Sequence, residues 1–410
     1  MEGMGPSSSS PQPGSVYLDH AAATPVADEV AAAMEAVRRE GFGNPSSPHG
    51  PGRLARKILE EARERIVPLL GGRRGDRLVF TSGATEANFL GILGLAGAAG
   101  GPGRCRFSAR DHSSAGAAAA ALTARGWQVA RLPLLGDGTL APDPDPEPPA
   151  VTILCATLVC GQSGGVEDVG RLATWAGGAG RFLHVDATQA VVCGPGAEAA
   201  VAAGAATVVV APHKFGGPRG IGGLLVRGGV DLRPLVPGPQ ERGLRGGTEP
   251  VALAVGFARA LELATAARGE LATRLDAVRA GFEAALCAAA REASIEPVVI
   301  AATARRAPHI STIAFPGLDR EAVVMAADLA GVAAATGTAC ASGASDPAPA
   351  LVAMGLPDDV VRSAVRFSFG HGTTEALVAT ALERLRTVLG RMPGGGRPKP
   401  SALPGSRGQG

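Results

Sequence analysis

The sequence predicts an α/β protein: a large domain built on a mostly parallel sheet, followed by a smaller α+β domain. Three observations carry this. Short apolar, β-branched runs alternate with helical patterns over about 150 residues, from 77 to 227. Beyond a long helical stretch, HISTIAF (309–315) and AVRFSF (364–369) alternate like half-buried strands. Hydrophobic residues make up 46% and charged residues 19% of 410 positions, enough for a large core. Aromatics are only 3%, so that core must be aliphatic and alanine-rich. In such a sheet, ligands bind at the carboxyl ends of the strands.

The elements follow in order. Residues 1–14 are rich in Ser, Pro and Gly and are expected to be disordered. Residues 16–19 read as a short strand. Residues 28–40 read as a helix, with Val30, Met34 and Val37 on one face. The turn-rich GFGNPSSPHGPG (41–52) is a loop, and 54–70 is a charged amphipathic helix. A strand at 77–80 turns into the helix of TSGATEANFLGILGLAG. Then come a strand at 105–108, an Ala-rich helix at 115–124 and a strand at 128–132. PDPDPEPP (142–149) cannot be helix interior, because proline lacks the donor, and is an extended connection. Strands at 151–154, 181–186 and 207–210 follow, with a helix at 169–176. A last strand at 224–227 is expected at the sheet edge. A helical stretch covers 250–288, broken near Arg268-Gly269. Helices at 320–330 and 374–391 flank the two alternating strands, and 393–410 is a frayed tail. The division is a large domain over 15–255, whose first residues pack on the small domain, and a small one over 256–392.

Composition excludes several classes. A net charge of +2 without a Lys/Arg-rich run gives nucleic acid or an anionic membrane little to bind. No apolar run is clean enough to span a membrane, and MEGMGPSSSSPQPGS lacks the apolar centre of a secretory signal. The six cysteines are dispersed, with no C-x-x-C and no zinc-like spacing, so no metal site is expected. Cys155, Cys160 and Cys193 lie in or beside apolar segments, which suits a reducing, cytoplasmic setting. No Gly-Lys dipeptide occurs, so the usual P-loop is absent, and no early G-x-G-x-x-G marks a dinucleotide site.

Chemistry points to VVVAPHKFGGPRGIGG (208–223). Only three lysines occur, and Lys214 alone follows an apolar strand; Lys57 lies among charges and Lys399 in the tail. Such a lysine is either a surface residue of a strand-end loop or a Schiff-base amine. Thr81 to Thr85 link a strand to a helix with small residues, giving either a phosphate cradle or a helix capped by Ser82 or Thr85. Asp186 ends an apolar strand, where its carboxylate either meets a cation, such as a protonated ring nitrogen, or caps the next helix. Phosphate cradle, carboxylate and lysine are together what pyridoxal phosphate requires.

Eight segments carry a resemblance: YLDHAAATPV, FGNPSSPHGPG, FTSGATEAN, HVDATQ, HKFGGPRGIG, QERGLRGGT, GTACASG and RFSFGHGTTE. In this order and spacing the chain resembles the class-V aminotransferase-like cysteine desulfurases, relatives of the selenocysteine lyases. The match runs from about residue 16 to 390. The resemblance implies a fold type I pyridoxal-phosphate-dependent transferase with a mostly parallel, seven-stranded type of sheet. It implies that Lys214 holds the cofactor, Asp186 keeps its ring nitrogen protonated, Gln189 lies near the ring oxygen and His112 stacks on the ring and moves protons. Ala84, Thr85 and His213 bind phosphate. Thr248 reaches the phosphate of the partner subunit in a homodimer. Arg366, together with His20, binds the substrate, L-cysteine. Cys340 takes its sulfur as a persulfide, leaving L-alanine, and hands it to an acceptor protein for iron–sulfur or thio-cofactor assembly.

Some positions depart from the family pattern. Gly161 stands for an asparagine, Ala211 for a phosphate-binding serine, His20 for an asparagine and His371 for an arginine. A lost hydrogen bond to a charged group typically costs about 1.5–3 kcal/mol. One alternative to the desulfurase is a selenocysteine lyase, since the loop around Cys340 has neither the extra length nor the second thiol that would separate the two; the other, suggested by Gly161 and Ala211, is a non-catalytic subunit that keeps the fold as a scaffold.

Overall fold

The computed structural model describes residues 14–142, 151–337 and 347–392. Its strands are β1 (Val16–Tyr17), β2 (Arg77–Thr81), β3 (Arg104–Ser108), β4 (Gln128–Leu132), β5 (Thr152–Thr157), β6 (Arg181–Asp186), β7 (Thr207–Val210), β8 (Gly222–Val226), β9 (Val298–Val299), β10 (Ile310–Ala314), β11 (Val332–Ala333) and β12 (Ala364–Ser368). The expected termini, 1–13 and 393–410, and most of the Pro-rich connection, 143–150, lie outside the described residues.

The large sheet runs β2-β8-β7-β6-β5-β3-β4. Strands β7, β6, β5, β3 and β4 pair in parallel. Strand β8 is antiparallel to both β7 and β2, so β2 points the same way as β7. All carboxyl ends but that of β8 therefore share one edge. Every residue of β5 and β7 is buried, as continuous apolar strands covered on both faces must be. The pleat divides β7 between two cores: Val208 and Val210 join Leu154 and Val185 on one face, and Val209 joins Ile153 and Leu224 on the other.

The strand expected at the edge, 224–227, is instead β8, enclosed between β2 and β7. A glycine start makes this insertion feasible. A Cβ on Gly222 would stand 2.6 Å from the carbonyl carbon of Gly83, in the turn after β2. Strand order is a long-range outcome that local composition does not encode.

The break expected at Arg268-Gly269 is also absent. One helix runs through Val251–Glu292, 42 residues, and the division placed at 255/256 falls inside it. Its first part buries Phe257 and Leu261 in the large-sheet core. Its second part buries Leu275, Phe282 and Leu286 with Ile313, Val365 and Phe367 of the smaller sheet. Gly269 faces open space and Arg268 binds Glu198 at 3.1 Å. The penalty of about 1 kcal/mol for a helical glycine is small against packing at both ends.

The first described residues join the smaller part of the molecule. Strand β1 pairs in parallel with β11, and the amide of Leu18 donates to Ala333 at 2.9 Å. Strands β12, β10 and β9 form the small antiparallel sheet.

A buried ion pair braces the turn of the QERGLRGGT segment. Glu241 and Arg242 adopt left-handed backbone (φ 48° and 56°) without being glycine. The Glu241 carboxylate offsets that strain by accepting from Arg63 at 2.8 and 2.9 Å and from the Phe80 amide at 2.9 Å. Removing one partner of such a pair strands a buried charge. Glu241→Ala is expected to lower unfolding stability by about 3–5 kcal/mol in urea titrations. The same change at the fully exposed Glu35 should leave the urea midpoint essentially unchanged. Equal effects would show that the buried pair does not brace the turn.

Candidate active site

Three strand ends meet at the common edge. After β2, a helix begins at Ala84 and runs to Ala98, with Gly83 as its N-cap and no side-chain cap. Neither Ser82 nor Thr85 caps it, so the cap reading of those residues fails. The Ser82 amide is instead held by Glu86 at 2.7 Å. The first-turn amides thus keep the anion-binding character of a helix N-terminus, beside the exposed hydroxyl of Thr85 and the half-buried Ala84. Glu86 also binds Arg245 at 3.0 Å, which ties the loop carrying the exposed Thr248 to this turn.

At the end of β6, Asp186 is buried and held through both oxygens. Asn88 donates to Oδ2 at 3.1 Å and the Thr188 amide to Oδ1 at 2.9 Å. The local amide bond and the cation-binding role are therefore compatible readings. Each oxygen accepts one of these bonds, and a carboxylate has further lone pairs for a ring N–H.

Asn88 was not singled out from the sequence. It is fully buried, and its Nδ2 also donates to Ser114 Oγ at 2.9 Å while its Oδ1 meets His184 Nε2 at 2.9 Å. Ser114 in turn bonds His112 Nδ1 at 2.7 Å through its hydroxyl, and its amide donates to the same nitrogen at 3.2 Å. Nδ1 is thus the acceptor, and the His112 proton sits on Nε2. One asparagine links Asp186 to His112. The usable signal was a polar side chain inside a helix buried on nearly every face, which requires partners.

After β7 a single 3-10 turn, Pro212–Lys214, carries the lysine. Lys214 Nζ donates to the backbone oxygens of Ala21 at 2.7 Å and Ala22 at 2.8 Å. Gln189 Nε2 donates to the same Ala21 oxygen at 2.8 Å. The His213 backbone oxygen accepts from the Thr24 amide at 2.9 Å, and burial, followed by the neighbouring Lys214 charge, pushes the His213 ring down to about 4.

Arg366 on β12 reaches across from the small sheet. It donates to the Gly161 carbonyl and pairs with Asp19 Oδ1, both at 2.8 Å. Gly161 has room for a side chain: a Cβ there would lie 3.9 Å from Gln189 Nε2. His20 is buried, with its ring against the edge of Tyr17 at 5.0 Å and over Gly370. Burial lowers it to about 4, which keeps the ring neutral where it packs. Cys340 lies outside the described residues. The backbone of Ala335, upstream of it, pairs with Arg366 at 2.7 and 3.1 Å.

The structure thus brings Lys214 together with Gln189, Asp186 with His112, and Arg366 with Asp19. Among the described residues no hydrogen bond ties Thr248 to these groups. An uncapped helix start, a carboxylate with acceptor capacity and a strand-end lysine fit pyridoxal phosphate.

Burial also holds His184 at about 4 and His309 at about 3. The unfolded chain takes up protons near the ordinary histidine value of about 6.5, whereas these rings, with His20, do not. Their neutral form therefore favours folding fully above that value, and stability falls on acidification. Thermal melts should show the midpoint dropping from about pH 7 to about pH 5, above the carboxylate range. A midpoint that rises over that interval contradicts this sign.

Comparison with known proteins agrees. The family model for aminotransferase class-V matches residues 16–380. The chain is 36% identical to a cysteine desulfurase of Cereibacter sphaeroides, over 92% of this chain and 96% of that protein. It is 34% identical to an IscS-like cysteine desulfurase of Mycobacterium tuberculosis, over 92% and 96% respectively. Among solved structures, a NifS-like protein aligns with a TM-score of 0.82 at 25% identity, over 92% of this chain and 100% of that one. Matched along its folded length, the chain belongs to the class-V aminotransferase family, whose members use pyridoxal phosphate.

Proposed function

We infer that the protein is a pyridoxal-phosphate-dependent cysteine desulfurase, converting L-cysteine to L-alanine and carrying the sulfur on Cys340. The observation that carries this is the meeting of Lys214, Asp186 and an uncapped helix start at one sheet edge, in a chain that matches desulfurases over 92% of its length. When bound, pyridoxal phosphate supplies an electron sink for the bond broken at the substrate α-carbon.

The residues divide the work. Lys214 would hold the cofactor covalently. Asp186, oriented by Asn88 and Thr188, would keep a proton on the ring nitrogen. The turn at Ala84 and Thr85, with His213, would take the phosphate. Gln189 would donate to the ring oxygen, and His112, locked as the Nε2–H form, would move protons. Arg366 would clamp the substrate carboxylate in competition with Asp19. The Cys340 thiolate would attack the substrate sulfur. A sulfur–sulfur bond forms, the carbon–sulfur bond breaks with its electrons on carbon, and a proton completes alanine.

A homodimer is part of the proposal. Phe42, Leu54, Leu235 and Val236 are exposed at 75%, 43%, 36% and 53%. The loops carrying Phe42, Leu235 and Val236 adjoin the Thr248 segment, through Gln240 to Ser46 and Gly246 to Val236. A second copy covering this surface would bring Thr248 to its neighbour's phosphate site. No helix among the described residues is long and apolar enough to cross a membrane. The five described cysteines are free and buried, which supports a cytoplasmic setting, and an acceptor protein for iron–sulfur or thio-cofactor assembly completes the reading.

Purified protein given L-cysteine is expected to release alanine. Cys340→Ala should lose the persulfide while keeping the visible cofactor band, and desulfurase activity surviving that change would remove Cys340 from its role. Asn88→Ala leaves Asp186, Ser114 and His184 each short of a partner. It is expected to weaken pyridoxal phosphate binding about tenfold in absorbance titrations, the equivalent of one hydrogen bond. Unchanged affinity would mean that Asn88 does not orient Asp186.

A further inference from the structure

We propose that His309 is a positioning residue: its Nε2–H fixes which end of the Gln189 carboxamide faces Lys214. The proposal rests on the cofactor site inferred above, because it assigns the sense in which Gln189 is presented there.

The assignment follows from donor and acceptor chemistry. The Gln189 amide end nearest the lysine lies 2.8 Å from the Ala21 carbonyl oxygen, which only accepts. That end must therefore be the nitrogen. Lys214 Nζ donates to the same oxygen at 2.7 Å, so amide and ammonium share one acceptor. The opposite end of Gln189 is then the oxygen, and it lies 3.1 Å from His309 Nε2. An oxygen there requires a donor, so His309 carries its proton on Nε2. A reversed amide would set its oxygen against the Ala21 oxygen.

The surroundings keep His309 in that state. The ring is 1% exposed and its Nδ1 is buried with no hydrogen-bond partner. Burial, followed by the nearby Arg366 and Arg279 charges, disfavours a second proton. A donor kept neutral in this way holds Gln189 in one orientation at neutral pH. The Nε2 group of Gln189 keeps its second hydrogen to offer the ring oxygen of a bound cofactor.

The contact also spans the molecule. His309 immediately precedes β10 of the small sheet, and Gln189 follows β6 of the large one. The His309 backbone oxygen is held by the Phe369 amide at 2.9 Å, so the imidazole is aimed from a rigid strand end.

The test combines a cofactor-free readout with a double-mutant cycle. In cofactor-free protein at neutral pH, nitrogen NMR should show the His309 ring protonated on Nε2 alone; an Nδ1–H or doubly protonated ring would overturn the proposal. In the holoenzyme, His309→Ala should weaken pyridoxal phosphate binding about tenfold, one hydrogen bond's worth, and His309→Gln, which restores a donor, should recover most of it. The same His309→Ala change in a Gln189→Ala background should have almost no further effect. An undiminished effect there would mark His309 as structural only. Should His309→Ala not fold, the NMR tautomer and the His309→Gln titration decide the matter. If wild-type protein binds no pyridoxal phosphate, the functional reading fails, and the tautomer measurement still judges the positioning.

Discussion

One backbone oxygen, that of Ala21, is the reference point of the candidate site. It accepts from both Lys214 and Gln189, at 2.7 and 2.8 Å. Charge-assisted bonds of this kind are about twice as strong as neutral ones and fix the ammonium in space. Ala21 can serve because its own segment is pinned on both sides. Its amide donates to Ser368 Oγ at 2.8 Å, Leu18 is bonded to β11, and Asp19 pairs with Arg366. Lysine, glutamine and arginine are thereby positioned against one short strap running between the two sheets. Without that strap, the large sheet would still present Lys214, but nothing would relate it to the arginine on β12.

A second constraint lies beneath the site. Asn88, His184 and Thr207 form a buried polar chain that ends on Asp186, with His184 Nδ1 meeting Thr207 Oγ1 at 2.8 Å. Burying so many polar groups is favourable only if each finds a partner, and the Asn88 amide uses both of its ends. The network holds the carboxylate and His112 in fixed relation, so a ring lying between them would meet groups already oriented. Such preorganisation is where an active site gains most of its electrostatic effect.

Much of this was legible in the sequence, for physical reasons. Strands buried on both faces announce themselves as apolar runs, and β6 and β7 begin and end where the pattern places them. Lys214 and Asp186 stand out because charged groups at the ends of such runs need a purpose. What escaped was non-local. The place of β8 in the sheet depends on pairing across the whole domain, and the long helix ignores Gly269 because two cores hold it. The Ala21 oxygen has no sequence signature, since every residue carries a carbonyl. Asn88, Asp19 and His309 take their meaning from distant partners: Asp19 and Arg366 are 347 positions apart.

The account turns on Lys214 as the residue that binds pyridoxal phosphate. Borohydride reduction of the loaded protein, followed by peptide mapping, tests this directly, because the sequence contains only Lys57, Lys214 and Lys399 as side-chain amines. The account predicts a reduced phosphopyridoxyl group on Lys214 alone. A label on Lys57 or Lys399, or no label in protein saturated with the cofactor, would contradict it.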